Sequence, residues 1–159
     1  MEFTHIDSAG AARMVDVTGK EPTARTAVAT GVLHTTREVV ELLRRDGLPK
    51  GDALATARIA GIMGAKRTPD LVPLCHPIAL SGVVVDLEPD DDRVRIRATV
   101  RTTDRTGVEM EALTAVAVAG LALHDMVKAV DPAAVLDAVR VERKDGGKTG
   151  SWVRPEERS

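Results

Sequence analysis

Arg93-Val94-Arg95-Ile96-Arg97-Ala98-Thr99-Val100-Arg101 decides the fold. Side chains alternate across a strand, so this stretch sets Val94, Ile96, Ala98 and Val100 on one face and Arg93, Arg95, Arg97 and Arg101 on the other. A strand apolar on one face only belongs to an antiparallel sheet covered on one side and wet on the other. Working back along the chain, Glu88-Pro89-Asp90-Asp91-Asp92 reads as a hairpin turn and Ile78 to Leu87 as the partner strand. The Thr- and Val-rich run from Ala24 to His34 predicts another strand, and Ala138 to Arg143 a last one leading into a Gly-rich tail.

Helical patterns lie between these strands. Thr35-Thr36-Arg37-Glu38 fits a capping box ahead of Val39, Val40, Leu42 and Leu43, and Gly47 and Pro49 stop that helix. Asp52 caps a second helix, Ala53 to about Ala65, whose face carries Leu54, Ala57, Ile62 and Met63, with Gly61 and Gly64 permitting close approach. Thr68-Pro69-Asp70 breaks the chain. Thr106-Gly107-Val108-Glu109 offers another capping box for a long helix, roughly Glu109 to Val130, ended by Asp131-Pro132. Strands in hairpins, with helices not interleaved one for one, predict an α+β fold with helices packed on one face of an antiparallel sheet. A single domain over residues 1–159 is expected, with 1–22 and 146–159 flexible or ordered by a ligand.

Composition narrows the functional classes. Of 159 residues, 43% are hydrophobic and only 1% aromatic, so the core must be aliphatic. The lack of aromatics argues against single-stranded nucleic-acid binding, which stacks bases on rings. A net charge of −2 gives no global basic field for DNA or anionic lipid. No secretory leader or membrane span is read in the chain, and one cysteine, Cys75, makes neither an internal disulfide nor a Cys-rich zinc site. A cytoplasmic protein is expected. The long helix is Ala, Val or Leu on nearly every side from Ala115 to Leu123, and a helix apolar all round is buried all round. One small domain barely surrounds it, so a homo-oligomer is predicted.

The chemistry-bearing residues fall in a few places. Asp125 and Lys128 share a helix face; such i,i+3 pairs are commonly structural, but this one follows nine consecutive apolar residues, where partial desolvation would tune an acid/base couple. Leu74-Cys75-His76 lies in a proline-framed segment, Pro73 to Pro77, readable as a buried turn or as a pocket wall offering an imidazole to a heterocycle. Glu109-Met110-Glu111 opens the long helix, where acidic groups suit the N-terminus and could equally bond a guanidine-like ring edge. Glu111 and Asp125 are about 21 Å apart along the axis, so one small-substrate site uses both only at a subunit boundary. Lys144-Asp145-Gly146-Gly147-Lys148-Thr149-Gly150 lacks the first glycine of a P-loop and reads as a flexible anion loop. Arg25, Lys50 and Lys66 are further cationic candidates. Arginines number 16 against six lysines, so a retained Lys suggests a need for a compact ammonium. Together these point to an anionic, phosphorylated small molecule.

The blocks Leu71-Val72-Pro73-Leu74-Cys75-His76-Pro77, Gly107-Val108-Glu109-Met110-Glu111-Ala112-Leu113-Thr114, Asp125-Met126-Val127-Lys128 and Gly146-Gly147-Lys148-Thr149-Gly150 together resemble the molybdenum cofactor biosynthesis protein C family, the cyclic pyranopterin monophosphate synthases. Met14-Val15-Asp16-Val17 and Ala55-Thr56-Ala57-Arg58-Ile59-Ala60-Gly61 extend the resemblance over nearly the whole chain. Thr149 stands where many members carry serine. The resemblance implies a ferredoxin-like α+β subunit in a homohexamer, a trimer of dimers with sites at dimer interfaces. It implies a substrate, 3′,8-cyclo-7,8-dihydroguanosine 5′-triphosphate (cyclic dihydro-GTP), supplied by a radical GTP-cyclising enzyme, and release of diphosphate. It makes Asp125 and Lys128 catalytic, with Leu74, Cys75, His76, Met110, Glu109 and Glu111 near the substrate and Arg25, Lys50, Lys66 and Lys144 lining the site. No cofactor is implied, and Mg²⁺ assistance at the phosphate step is left open. Two rival classes are a metal-dependent pterin cyclohydrolase using Cys75 and His76, and a non-catalytic guanine-nucleotide or pterin-binding partner.

Overall fold

The alternating arginine segment forms a strand, β3 (Arg93–Asp104), of a five-stranded sheet in a computed structural model describing residues 4–157. Its inward residues Val94, Ile96, Ala98 and Val100 are at most 1% exposed. In chain order the elements are β1 (Thr23–His34), α1 (Arg37–Arg44), α2 (Ala53–Lys66), α3 (Thr68–Leu71), β2 (Leu80–Asp90), β3, α4 (Glu109–Val127), β4 (Val135–Asp145) and β5 (Trp152–Val153). The strands lie in the order β2-β3-β1-β4-β5, every neighbouring pair antiparallel. Up to β4 this is βαββαβ connectivity, the ferredoxin-like α+β arrangement. The first three and last two residues of the predicted flexible ends lie outside the described residues.

The caps hold the helices where the sequence wants them, with two corrections. Asp52 accepts from the Ala55 N–H at 3.0 Å and starts α2 as expected. At α1 the cap is Thr36, accepting from Val39 N–H at 3.2 Å. Thr35, one residue earlier, donates instead to Asp131 at 2.8 Å, tying the start of α1 to the chain beyond α4. The Thr106 capping box does not form. Helix α4 begins at Glu109, so Val108 occupies the cap position and no side chain caps it. The helix also ends at Val127, three residues before the predicted Val130.

Other boundaries move for local reasons. The hairpin turn shrinks from five residues to Asp91-Asp92, because β2 pairs with β3 through Pro89↔Val94 and Asp90↔Arg93. Pro89 is tolerated because β2 is an edge strand. Thr68-Pro69-Asp70 makes the short helix α3 rather than a plain break, with proline in its first turn, where no amide donor is needed. Strand β4 is longer than predicted, and its pairing with β1 is interrupted by two register shifts.

Helices α2 and α4 pack on each other and on the apolar side of the sheet. A Cβ on Gly61 would stand 2.9 Å from the Ala115 carbonyl oxygen, and one on Gly64 would stand 2.8 Å from Val118, so these glycines permit the helix contact. The buried stripe of α2 is made of small residues, Ala53, Ala57, Gly61, Gly64 and Ala65. Met63, expected on that face, is exposed. Helix α4 is long and apolar enough to cross a bilayer by length and composition, yet it lies on the sheet with Ala115, Val116, Ala119 and Leu123 fully buried. It is not covered all round within one chain: Leu121 is 65% exposed.

Candidate active site

Helix α4 carries predicted site residues at both ends, and α2 determines what meets them. Lys50, just before α2, reaches Asp125 near the end of α4, so the two helices run antiparallel. Asp125 accepts from Lys50 Nζ at 2.7 Å through one carboxylate oxygen and from Lys128 Nζ at 2.6 Å through the other. Hydrogen bonds from Lys128, then Lys50, pull the Asp125 carboxyl down to about 2. The expected partial burial of this pair is absent in the single chain. The Asp125 and Lys128 side chains are 50% and 54% exposed, because they leave the helix on the side away from the core, while Met126 and Val127 between them are buried. The tuning comes from the two ammonium groups.

At the other end of α4, Glu109 pairs with Lys144 of β4 at 3.2 Å. Together with Arg25 of β1 they line a cleft of about 580 Å³. Arg25 is held by its Nε, which donates to the Asp104 carbonyl at 3.1 Å. Leu74, Cys75 and Met110 line a neighbouring apolar cavity of about 600 Å³. The Cys75 thiol is pushed up by burial, with a further contribution from the charge of Glu111. His76 is half-buried, and Lys66 is exposed at the last position of α2; neither lines these two cavities.

Glu111 is the exception among the carboxylates. It is 3% exposed, and its Oε2 has no hydrogen-bond partner. Burial pushes its carboxyl up to about 7, with the nearby charge of Glu109 adding to the effect. A buried carboxyl with one unpartnered oxygen is costly unless that oxygen meets a donor. The sequence reading treated Glu111 as helix-terminus charge or as a bond to a ring edge; its burial favours the second. Thus the predicted residues fall into two groups. Lys50, Asp125 and Lys128 form one; Arg25, Lys144, Glu109, Glu111, Met110, Leu74 and Cys75 surround the other, about 21 Å away along the helix by its rise per residue. Among the described residues no group of three or more His, Cys, Asp and Glu side chains could hold a metal ion.

The chain is similar to known proteins over nearly its whole length. The model of the MoaC family matches residues 14–147, a span that contains every predicted site residue from Arg25 to Lys144. The chain belongs to the MoaC family. The cyclic pyranopterin monophosphate synthase of Streptomyces coelicolor is 72% identical over 152 residues, 96% of this chain and 89% of that one. The protein of the same name from a Nocardioides species is 66% identical over 156 residues, 96% of each chain. Cyclic pyranopterin monophosphate synthase 2 of Mycobacterium tuberculosis is 62% identical over 153 residues, 96% of this chain and 92% of that one.

In this member of the MoaC family the sequence reading missed part of the cleft wall. Lys20 and His5 line it as well, beside Lys148 and Thr149 of the expected anion loop. The scarcity of lysine against arginine was the available signal for Lys20, one of only six. Glu111 yields a test of its own. Its folded-state value lies above the ordinary carboxyl value of 4.5, so its neutral form contributes full stability below pH 4.5. That contribution is lost as pH rises to about 7, at up to ~1.4 kcal/mol per pH unit. Glu111→Gln is expected to remove this slope, seen as unfolding midpoints in urea that decline less between pH 4.5 and 7 than those of the parent. Parallel profiles would show that Glu111 is ionised in the fold.

Proposed function

We propose that this chain is a cyclic pyranopterin monophosphate synthase, a lyase that converts cyclic dihydro-GTP to cyclic pyranopterin monophosphate and diphosphate. The observation that carries this reading is the Lys50–Asp125–Lys128 cluster, a carboxylate held by two ammonium groups within a chain of MoaC family pattern. With its carboxyl near 2, Asp125 is ionised at neutral pH and is not the proton donor. Its role is to hold the two lysines at fixed positions and to stabilise positive charge. Lys128 is the group placed to donate.

The chemistry divides into two steps. The aminal C–N bond of the purine-derived ring breaks as the Lys128 ammonium protonates the departing nitrogen. Ring closure to the pterin then returns a proton, so Lys128 ends as it began, contributing about 10²–10⁴-fold as a positioned acid and base. A sugar hydroxyl next attacks the α-phosphorus, loses its proton, and displaces diphosphate. Cationic side chains opposite the leaving group stabilise the charge that develops there. Glu111, once ionised, offers a carboxylate to the two N–H donors of the guanine-derived edge, and His76 and Cys75 flank it.

One chain leaves the two groups of residues too far apart for a single small substrate. The site is therefore proposed to form between subunits of a homohexamer, with Asp125 from one chain facing Glu109 and Lys144 from another. Exposed Ile59 and Met63 of α2 and Leu121 of α4 support such covering, since burying them would complete the apolar helix layer. The test is diphosphate release from cyclic dihydro-GTP, with product read as its oxidised fluorescent pterin. Turnover that survives a chelator is the expected result. Turnover abolished by chelation and restored by Zn²⁺ but not by Mg²⁺ moves the chain to a metal-dependent cyclohydrolase, and binding without turnover makes it a non-catalytic partner.

A further inference from the structure

We propose that Lys20, Arg25 and Lys148 form an anion subsite for diphosphate, in which the N-terminal segment and the Gly-rich loop each close one side of β1. The 580 Å³ cleft beside Glu109 adjoins a second cavity of about 410 Å³, and these three residues line both. They therefore stand at the junction of the two spaces. Lys144 is neutralised by Glu109 and lines the first cavity alone. Among the described residues no carboxylate lies within 4.0 Å of the charged nitrogens of Lys20, Arg25 or Lys148. Glu109 and Asp145 also line the first cavity and Glu21 the second, but Glu109 is engaged by Lys144 and Asp145 by Arg143. Three cations that no carboxylate pairs at this junction favour an anion there.

Lys20 and Arg25 are held in place while their terminal nitrogens stay unpaired by carboxylates among the described residues. Lys20 closes a turn, its N–H donating to the Val17 carbonyl at 3.0 Å, and its own carbonyl accepts from Arg105 Nε at 3.0 Å. Arg25 uses Nε on Asp104 and keeps its terminal nitrogens toward Gly147. A Cβ on Gly147 would overlap that guanidinium, so glycine lets the loop lie over Arg25 and bring Lys148 alongside. Cations spread over two connected cavities suit an anion with two linked phosphoryl groups better than one with a single phosphoryl group. The low overall charge of −2 confines the attraction to this cleft. Naming diphosphate rests on the synthase reading; the anion subsite rests on the cations themselves.

Calorimetric titration of the full chain with inorganic diphosphate, and separately with inorganic phosphate, tests this. Diphosphate is expected to bind at least tenfold tighter than phosphate. Lys20→Gln and Lys148→Gln are each expected to weaken it about tenfold, the effect of losing one charge-assisted contact. Arg37→Gln on α1, away from the cleft, is the matched loss of charge and is expected to leave binding unchanged. Equal affinity for the two anions, or lysine variants that bind diphosphate like the parent, overturns the subsite. The same preparations assayed with cyclic dihydro-GTP separate the two ideas. Lysine-dependent diphosphate binding without turnover keeps the subsite and removes the synthase reading. Turnover with lysine-independent diphosphate binding does the reverse.

Discussion

Asp125→Asn and Lys128→Ala are each expected to lower turnover of cyclic dihydro-GTP by about 10²–10⁴-fold, with unfolding midpoints close to those of the parent. Lys128→Ala removes the proposed proton donor outright. Asp125→Asn keeps the shape but loses the charge that holds both ammonium groups at 2.6–2.7 Å, so Lys50 and Lys128 repel and drift. Both ion pairs are about half exposed, and exposed pairs contribute little to stability, typically 0–1 kcal/mol. Catalysis and folding should therefore separate cleanly. Because the two lysines hold the Asp125 carboxyl near 2, its ionisation does not change between pH 5 and 9, and an acid-side loss of activity in that range belongs to another group. Single-turnover rates beside substrate affinity decide the matter. Wild-type turnover by a folded Lys128→Ala chain with normal substrate binding would sink the assignment.

The parts of this fold that could be read from the chain are those in which one local rule acts alone. Strict alternation in β3 is such a rule, since one face is buried and the other is wet, and all four predicted inward residues are buried. The Asp52 cap is another. Where tertiary contacts share the decision, reading failed in specific ways. Thr35 and Thr36 both look like caps, and the choice between them is made by Asp131, 96 residues from Thr35, which takes Thr35 as its donor. Strand β4 carries a register shift on each side of the Ala29–Thr30 pairing and a positive φ at Ala138, so its side chains do not keep period two. β5 is two residues long and exists only because Lys144 and Arg143 lie beside it.

The site divides along the same line. The block motifs place Asp125, Lys128, Glu109 and Glu111 at the two ends of one helix, which spacing alone predicts. Burial is not visible in spacing. The Asp125 pair was expected in a desolvated place and lies half exposed; Glu111, read partly as helix-terminus charge, is the carboxyl that is buried. Lys20 and Lys148 are 128 positions apart and meet only because β1 and β4 are neighbours, a relation that no local pattern encodes.

Gly146→Val is expected to disable the anion cleft, with the second largest effect of the substitutions considered. Gly146 has φ +92°, and a Cβ there would overlap the carbonyl oxygen of Ala24, which belongs to the paired backbone of β1 and has little room to yield. Left-handed strain costs about 1–3 kcal/mol by itself; the overlap must be relieved as well, by lifting the loop from β1. That movement separates Lys144 from Lys148 and draws Gly147 off the Arg25 guanidinium. Diphosphate affinity should fall by well over tenfold, and turnover with it. Gly150→Ala isolates the cause, because Gly150 also has a positive φ, +69°, but nothing lies within 4 Å of its Cβ position. It should lose up to ~2 kcal/mol of stability from backbone strain while keeping diphosphate binding. If both variants lose binding equally, conformational strain in the loop is the cause and contact with β1 is not; if only Gly146→Val loses it, the close approach of the loop to Ala24 is what assembles the cations.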